Sequence, residues 1–92
     1  MMIIENIVDN IARYLNKDAA EIRKINFYQK NKKNITHYGM RIEDNVINEI
    51  FEKLVKKSNY KKRVLEIKKF NSKNKYKKKG ISITPVKFGI SF

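Results

Sequence analysis

The first fifteen residues carry apolar side chains at the spacing of a helix. Apolar residues recur three and four positions apart, whereas Glu5, Asp9, Asn10 and Arg13 fall between them. The apolar residues are Ile3, Ile4, Ile7, Val8, Ile11, Ala12 and Leu15. This spacing predicts an amphipathic helix of about three to four turns, with its apolar stripe turned towards a partner and its charged residues facing away.

Three further helices are predicted downstream. Asp18 followed by Glu21 is a variant of the capping box, which places a short helix directly after Asp18. A regular apolar stripe follows Asp44, and a thinner one follows Ser58, a residue that can cap a helix. The stripe residues are Ala19, Ile22 and Ile25 in the second helix, Val46, Ile47, Ile50, Phe51, Leu54 and Val55 in the third, and Tyr60, Val64, Ile67 and Phe70 in the fourth.

The last twelve residues follow a different period. Ile81 and Ile83 stand two positions apart, and the spacing of two resumes after Pro85 with Val86, Phe88, Ile90 and Phe92. A period of two is typical of a half-buried strand, and a proline at the change of phase indicates a bulge or a break. The predicted fold class is therefore α+β, with about four helices followed by a terminal β-strand region. The chain, residues 1–92, is predicted to be a single partial domain that divides into a mainly helical region (1–72), a basic linker (73–80) and a strand region (81–92).

A strand that ended at Phe92 would leave an apolar face without a neighbour. Such a face is normally covered by another strand or by a second chain. A chain of 92 residues also forms at most one small domain, which buries only about 60 to 65% of its unfolded surface. We therefore expect the chain to be an internal piece of a larger protein, or else a module that docks on a partner through this strand.

Positive charge is concentrated in one window of the sequence. The formal net charge is +13 at pH 7, and residues 53–79 contain thirteen lysines and arginines against Glu66 alone. Cationic surfaces with interspersed aromatic residues can bind nucleic acid, so one alternative is a small basic nucleic-acid-binding protein that uses the region from Lys53 to Lys79. We favour a solvated lysine face, because lysine outnumbers arginine eighteen to four and phosphate recognition favours arginine.

Several kinds of chemistry find no residues in this sequence. The chain has no cysteine, which excludes disulfides, thiolate zinc sites, iron–sulfur ligands and cysteine nucleophiles within it. His37 is the single histidine and has no acidic partners at ligand spacing. Ser91 has no recognisable base, and Gly80 and Gly89 do not form the clustered loop that cradles phosphate. We therefore assign no catalytic, cofactor-binding or metal-binding residue.

Five blocks of the sequence resemble, in order, one region of a known enzyme family. The blocks are Ile22–Tyr28, Asn34–Gly39, Glu66–Asn71, Lys78–Ile81 and the segment Lys87–Phe92, which reads Lys-Phe-Gly-Ile-Ser-Phe. Over nearly its whole length the chain resembles the molybdenum-cofactor-binding (molybdopterin-binding) large subunit of the xanthine dehydrogenase and aldehyde oxidase family. The last block is the specific one, since amphipathic helices alone identify no family. One departure is Lys79, where the family often has arginine; the charge is kept but bidentate pairing is lost.

The resemblance implies an oxidoreductase of purine metabolism. Such an enzyme hydroxylates a purine or an aldehyde at a molybdenum–molybdopterin cofactor and passes the electrons to iron–sulfur clusters and FAD. In that family the residue matching Phe92 lines the substrate pocket and packs on the planar substrate, and Phe88, on the same predicted strand face, is a second substrate-binding candidate.

The resemblance also implies that the chain works with partners. The family's other substrate and cofactor motifs, and its catalytic glutamate, fall outside the matched region. We therefore expect the chain alone to bind no cofactor and to be inactive, with the remaining parts of the large subunit and the iron–sulfur and FAD parts as its partners. No apolar stretch reaches the roughly 18 residues of a membrane span, and a cytoplasmic location is expected.

Overall fold

The computed structural model describes residues 1–88, and within them it contains four α-helices. They are α1, Met2–Leu15; α2, Ala19–Ile25; α3, Ile47–Lys57; and α4, Tyr60–Lys73. Each helix lies where apolar residues recur with helical spacing. The positions of the predicted helices are therefore confirmed.

Local sequence accounts for the ends of these helices. Asp18 caps α2 as predicted, because its side chain accepts a hydrogen bond from the backbone N–H of Ala20 at 2.8 Å. Asn16 and Asn59 have left-handed backbone conformations, with φ of 54° and 51°, which asparagine tolerates better than most residues. The predicted cap of α4 by Ser58 is wrong, since its hydroxyl instead donates to a carbonyl oxygen of α3 at 2.7 Å.

A long connector joins α2 to α3 and is organised by one tight turn. The backbone N–H of Thr36 donates to the carbonyl of Met40 at 2.8 Å, and the Thr36 hydroxyl accepts from the Met40 N–H at 2.9 Å. Gly39 has a φ of 83°, which the absence of a Cβ permits. An isolated antiparallel bridge pairs Ile35 with Arg41. Thr36 is buried at the centre of this turn, and the Met40 N–H supplies the hydrogen-bond partner that its buried hydroxyl needs.

The α+β fold class predicted from the sequence is wrong, because the described residues are all-helical. Residues 81–88, called the terminal segment below, form no strand. A strand needs a neighbour that pairs its N–H and C=O groups, and residues 1–88 place no strand beside this segment. Pro85 also lacks an N–H for a ladder. Residues 89–92 of the predicted strand region lie outside the described residues.

The terminal segment nevertheless buries every second residue along its first half. Ile81, Ile83 and Pro85 are half-buried, and the two isoleucines pack against the helical core. Val86 and Phe88 are exposed. A spacing of two therefore marks contact with helices here, a case that the sequence pattern alone does not distinguish from a strand in a sheet.

The core is small and lies between α2, α3, α4 and the terminal segment. Its centre consists of Ala20 from α2, Phe51 from α3 and Tyr60 from α4. The half-buried residues around this centre are Phe27, Val55, Val64, Ile81 and Ile83. The rings of Phe27 and Phe51 meet edge to face, with centroids 5.3 Å apart and an interplanar angle of 79°.

Helix α1 packs on α2 through an unexpected face. Ala12 is buried, and Glu5, Val8 and Asp9 are half-buried. The prediction that Glu5 and Asp9 face away from the protein is therefore wrong. Most of the predicted apolar stripe is exposed instead, namely Ile3, Ile4, Ile7, Ile11 and Leu15.

Within residues 1–88, no helix combines the length and apolar character of a membrane span.

A buried hydrogen bond joins the start of α4 to the start of α2. The hydroxyl of Tyr60 lies 3.0 Å from each carboxylate oxygen of Asp18, and Tyr60 is 7% exposed. Burial, together with the hydrogen bond and the negative charge of Asp18, raises the pKa of Tyr60 to about 12. Asp18 thus caps one helix and anchors another.

Two surface ion pairs connect α3 to the residues before it. Lys24 pairs with Glu52, and the Nζ of Lys30 lies 2.8 Å from the Oε1 of Glu49. The hydrogen-bonded lysine lowers the pKa of each glutamate, and Glu49 raises the pKa of Lys30. Because all four side chains are well exposed, these pairs contribute little to stability.

Replacing Phe51 by alanine should lower the free energy of unfolding by about 3–5 kcal/mol, because a ring that is 6% exposed leaves a cavity beside Phe27. The matched control is Ile50→Ala in the same helix, where the side chain is 54% exposed and the loss should stay below about 1 kcal/mol. Urea unfolding followed by circular dichroism measures both. Equal losses would contradict the assignment of the core.

The free energy of unfolding should fall as the pH rises from about 10 to about 12, with Tyr60 contributing up to about 1.4 kcal/mol per pH unit. An unfolded tyrosine, with a pKa near 10, loses its proton before the folded one does, so alkaline pH favours the unfolded chain. An absorbance titration of the five tyrosines should show one ionising near pH 12, and Tyr60→Phe should remove that step. Ionisation of all five near pH 10 would refute the buried contact.

Candidate functional site

The two predicted substrate-binding residues belong to the last stretch of the chain. Phe88 ends the terminal segment and is 81% exposed. Phe92 lies outside the described residues. The structure does define the contacts that hold the terminal segment, and these fix the position from which Phe88 extends. Three side-chain anchors, at Asn71, Arg23 and Tyr28, make those contacts.

The first anchor is Asn71, near the end of α4, which holds the residues just before the terminal segment. Its Oδ1 accepts from the backbone N–H of Lys79 at 2.8 Å, and its Nδ2 donates to the carbonyl of Lys79 at 2.9 Å. One amide side chain thus satisfies both backbone groups of one residue, as a neighbouring strand would. The Nζ of Lys79 lies 4.1 Å from the centre of the Phe70 ring, which adds a cation–π contact.

The second anchor is Arg23, a buried residue of α2. Its Nε and Nη2 lie 2.8 Å and 2.7 Å from Oε2 of Glu5, and its Nη2 also lies 3.1 Å from Oδ1 of Asp9. Its Nη1 donates to the carbonyl oxygen of Ile83 at 3.4 Å. Arg23 therefore connects α1, α2 and the terminal segment in one network.

The third anchor is Tyr28, which follows α2 and contacts the far end of the terminal segment. The Nζ of Lys87 donates to the Tyr28 hydroxyl at 3.3 Å and lies 4.6 Å from the ring centre. The backbone carbonyl of Tyr28 accepts from Nδ2 of Asn45 at 2.7 Å and from Nδ2 of Asn48 at 3.1 Å. Tyr28 is thereby fixed to the start of α3, and Lys87, next to Phe88, is held against it.

A cavity of about 270 Å³ lies beneath residues 85–87. It is lined by Asn26, Phe27, Tyr28, Ile42, Asp44, Asn45, Ile47, Pro85, Val86 and Lys87. Two aromatic rings, two side-chain amides and four aliphatic or proline side chains line it beside Asp44 and Lys87, and none of these residues is a nucleophile paired with a base.

Metal-binding groups are not found in the described residues. Within residues 1–88, no three histidine, aspartate or glutamate side chains converge as a ligand set. His37 is exposed in the connector and meets the Tyr38 ring edge to face, with centroids 4.8 Å apart.

Sequence reasoning did not single out the three anchors as functional. A usable signal was present for Arg23, because Glu5 and Asp9 stand four residues apart and so share one face of α1. Two carboxylates on one helix face repel each other, and a cation on the neighbouring helix would offset that repulsion. Asn71 and Tyr28 lie within blocks that resemble the family, but the partners of their side chains belong to other elements, so helical or strand spacing could not reveal them.

Comparison with known proteins gives one consistent result. No family model matches the chain, and no solved structure matches it. The chain is 42% identical over 92 residues to a xanthine dehydrogenase of Dictyostelium discoideum, 40% identical over 88 residues to one of Calliphora vicina, and 37% identical over 92 residues to a xanthine dehydrogenase/oxidase of Gallus gallus. These alignments cover 96–100% of the chain but only 6–7% of each relative. The chain therefore matches only a small segment of these much longer relatives.

Replacing Phe88 by serine should change the free energy of unfolding by less than about 0.5 kcal/mol, because the ring is exposed. The matched variant is Ile83→Ser in the same segment, which should cost about 1–3 kcal/mol since Ile83 packs on the core. Urea unfolding of the two variants compares them directly. If Phe88→Ser were as costly as Ile83→Ser, the ring would be a packing residue of this chain.

Proposed function

We propose that the chain, which is similar over 96–100% of its length to one segment of the xanthine dehydrogenases, forms one wall of the substrate pocket in an oxidoreductase of that type. On this proposal Phe92 packs on the flat face of a purine or aldehyde substrate, and Phe88 borders the same pocket. The remaining parts of the large subunit hold the molybdenum–molybdopterin cofactor and the catalytic groups. Iron–sulfur clusters and FAD in the partner parts accept the electrons, and the chain alone turns over no substrate.

Continuous homology is the observation that carries this proposal. The alignment with the Dictyostelium discoideum relative includes all 92 residues, so it covers the four helices and the terminal segment together. A helix or a short motif matched in isolation would identify only a common pattern. Homology across elements that contact one another supports the same arrangement, and therefore the same role, in both proteins.

The exposed apolar stripe of α1 supports the proposed partners. Ile3 is 76% exposed and Ile7 is 47% exposed, although the helix has the period of an element that is covered on one face. An exposed apolar surface of this kind marks a site of contact with another polypeptide or with a further part of the same protein. In the relatives, more than nine tenths of the sequence lies beyond the matched segment and is available to provide that cover.

The chain's own contribution is shape and position rather than reactive groups. Within residues 1–88 no group of histidine, aspartate or glutamate side chains could hold a metal ion, and on this proposal the cofactor is held by the remaining parts of the large subunit. A flat aromatic wall restricts a planar substrate to one orientation and excludes water from one side of it. Loss of such a wall is expected to weaken substrate binding and to misplace the reacting carbon.

The helical region (1–72), the basic linker (73–80) and the terminal region (81–92) act together as one unit of the larger enzyme, in the cytoplasm and without a membrane partner. Nothing in the geometry or in the relatives favours the nucleic-acid alternative. The lysines between residues 53 and 79 are exposed, as a solvated face requires.

A chimera tests the proposal. In it, this chain replaces the homologous segment of the Dictyostelium discoideum xanthine dehydrogenase. The chimera should oxidise xanthine, whereas the 92-residue chain alone should not. In the chimera, Phe92→Ala should raise the KM for xanthine about tenfold, which corresponds to the loss of about 1.4 kcal/mol of aromatic contact. Phe88→Ala should have a smaller effect in the same direction.

Tyr76→Ala provides the matched control, because this exposed aromatic residue belongs to the basic linker and not to the terminal segment. It should leave kcat and KM unchanged. Molybdenum content, measured by elemental analysis, verifies that each chimera is loaded. A loaded chimera in which Phe92→Ala leaves kcat/KM unchanged would reject the pocket wall, and a chimera that cannot assemble would reject the homologous placement.

A further inference from the structure

Arg23 is the one buried charged residue among residues 1–88, with 7% of its surface exposed. Removing a guanidinium from water is costly unless its donors are paired within the protein. The structure pairs them with two carboxylates and one backbone carbonyl. Through these partners Arg23 connects α1 to the terminal segment.

The three nitrogens of Arg23 bind two different elements of the structure, α1 and the terminal segment. Nε binds Glu5, and Nη2 binds both Glu5 and Asp9, so α1 occupies one side of the planar group. Nη1 is directed to the carbonyl oxygen of Ile83. Because the guanidinium is rigid and planar, fixing Nε and Nη2 also fixes the direction in which Nη1 donates. A lysine has one nitrogen and cannot transmit direction in this way.

The carbonyl of Ile83 has no strand partner within residues 1–88, and Arg23 is the donor that it binds. A strand ladder would have paired the backbone groups of the terminal segment, and residues 1–88 contain no such ladder. The side chain of Ile83 is packed on the core, which keeps its backbone near α2. Arg23 therefore takes the place of the neighbouring strand at this one point.

Arg23 and Tyr28, which belong to one short stretch of chain, hold two points of the terminal segment in addition to the core packing of Ile81 and Ile83. Arg23 binds Ile83, and Tyr28, five residues after Arg23, binds Lys87, four residues after Ile83. Two fixed points set both the position and the direction of the residues between and next to them. Phe88 directly follows the second point.

We propose that Arg23 is a positioning residue that fixes the terminal segment, and with it the aromatic wall, through its hydrogen bond to the Ile83 carbonyl, while Glu5 and Asp9 orient its guanidinium. This inference rests on the proposed function for the meaning of the wall. The positioning itself concerns only contacts within this chain. Arg23 does not touch substrate on this proposal and acts through Ile83.

Nuclear magnetic resonance of the full 92-residue chain tests the positioning. In the unsubstituted chain the backbone order parameters of residues 82–88 should be near 0.8, and in Arg23→Lys they should fall below about 0.6. The order parameters of α3 and α4 should stay unchanged, and the carbonyl carbon of Ile83 should shift as its hydrogen bond is lost. Arg63→Lys, at an exposed position of α4, is the matched control and should change none of these values.

A second variant separates positioning from stability. Replacing the amide between Ile83 and Thr84 by an ester, through semisynthesis, weakens the Ile83 carbonyl as an acceptor and leaves Arg23, Glu5 and Asp9 intact. The order parameters of residues 86–88 should fall as in Arg23→Lys, whereas the midpoint of urea unfolding should change little. The ester variant tests the role of the hydrogen bond to the Ile83 carbonyl even if Arg23→Lys fails to fold.

Three results would overturn the inference. They are unchanged order parameters in the ester variant, equal loosening of all helices in a folded Arg23→Lys variant, and a mobile segment already in the unsubstituted chain. These measurements need neither substrate nor cofactor. An inactive chimera with an ordered terminal segment would therefore reject the proposed function and leave the role of Arg23 standing, and the reverse outcome would separate them equally well.

Discussion

A buried guanidinium requires a partner for each of its nitrogens, and the arrangement of α1, α2 and the terminal segment follows from that constraint at Arg23. Glu5 and Asp9 must turn inwards to neutralise it, which sets the rotation of α1 about its own axis. The remaining nitrogen binds the Ile83 carbonyl and holds a segment that has no sheet to hold it. One charge therefore connects α1, which adds no residue to the small apolar core, to a terminal segment that packs on that core through Ile81 and Ile83.

The sequence predicts the helices well because helical spacing depends only on neighbours along the chain. The same information cannot give the rotation of a helix, which depends on what surrounds it. In α1 the apolar stripe was expected to face the protein, yet Arg23 attracts the acidic face and the stripe is left exposed. The spacing of two in the terminal segment was similarly ambiguous, since Ile81 and Ile83 can pack on helices as well as on a sheet.

The candidate site also combines local and long-range features, and a single sequence reveals only the local ones. The resemblance indicates Phe88 and Phe92 from a local motif, and the substrate role of both residues stays a prediction. The contacts that hold the segment join residues up to sixty positions apart, such as Arg23 with Ile83 and Tyr28 with Lys87. Such pairs leave no periodic signal in a single sequence, and only the paired carboxylates of α1 gave a local indication of one of them.

These features couple the exposed face of α1 to the proposed pocket wall. The rotation of α1 is fixed from inside by Glu5 and Asp9, and any element that covers Ile3, Ile7 and the rest of the stripe fixes it from outside. Both act on the same rigid helix, and its carboxylates orient the group that binds Ile83. Packing on α1 therefore limits how far the guanidinium can turn. The directed hydrogen bond from Arg23 to Ile83 positions the proposed pocket wall more sharply when the helix behind that bond is held on two sides.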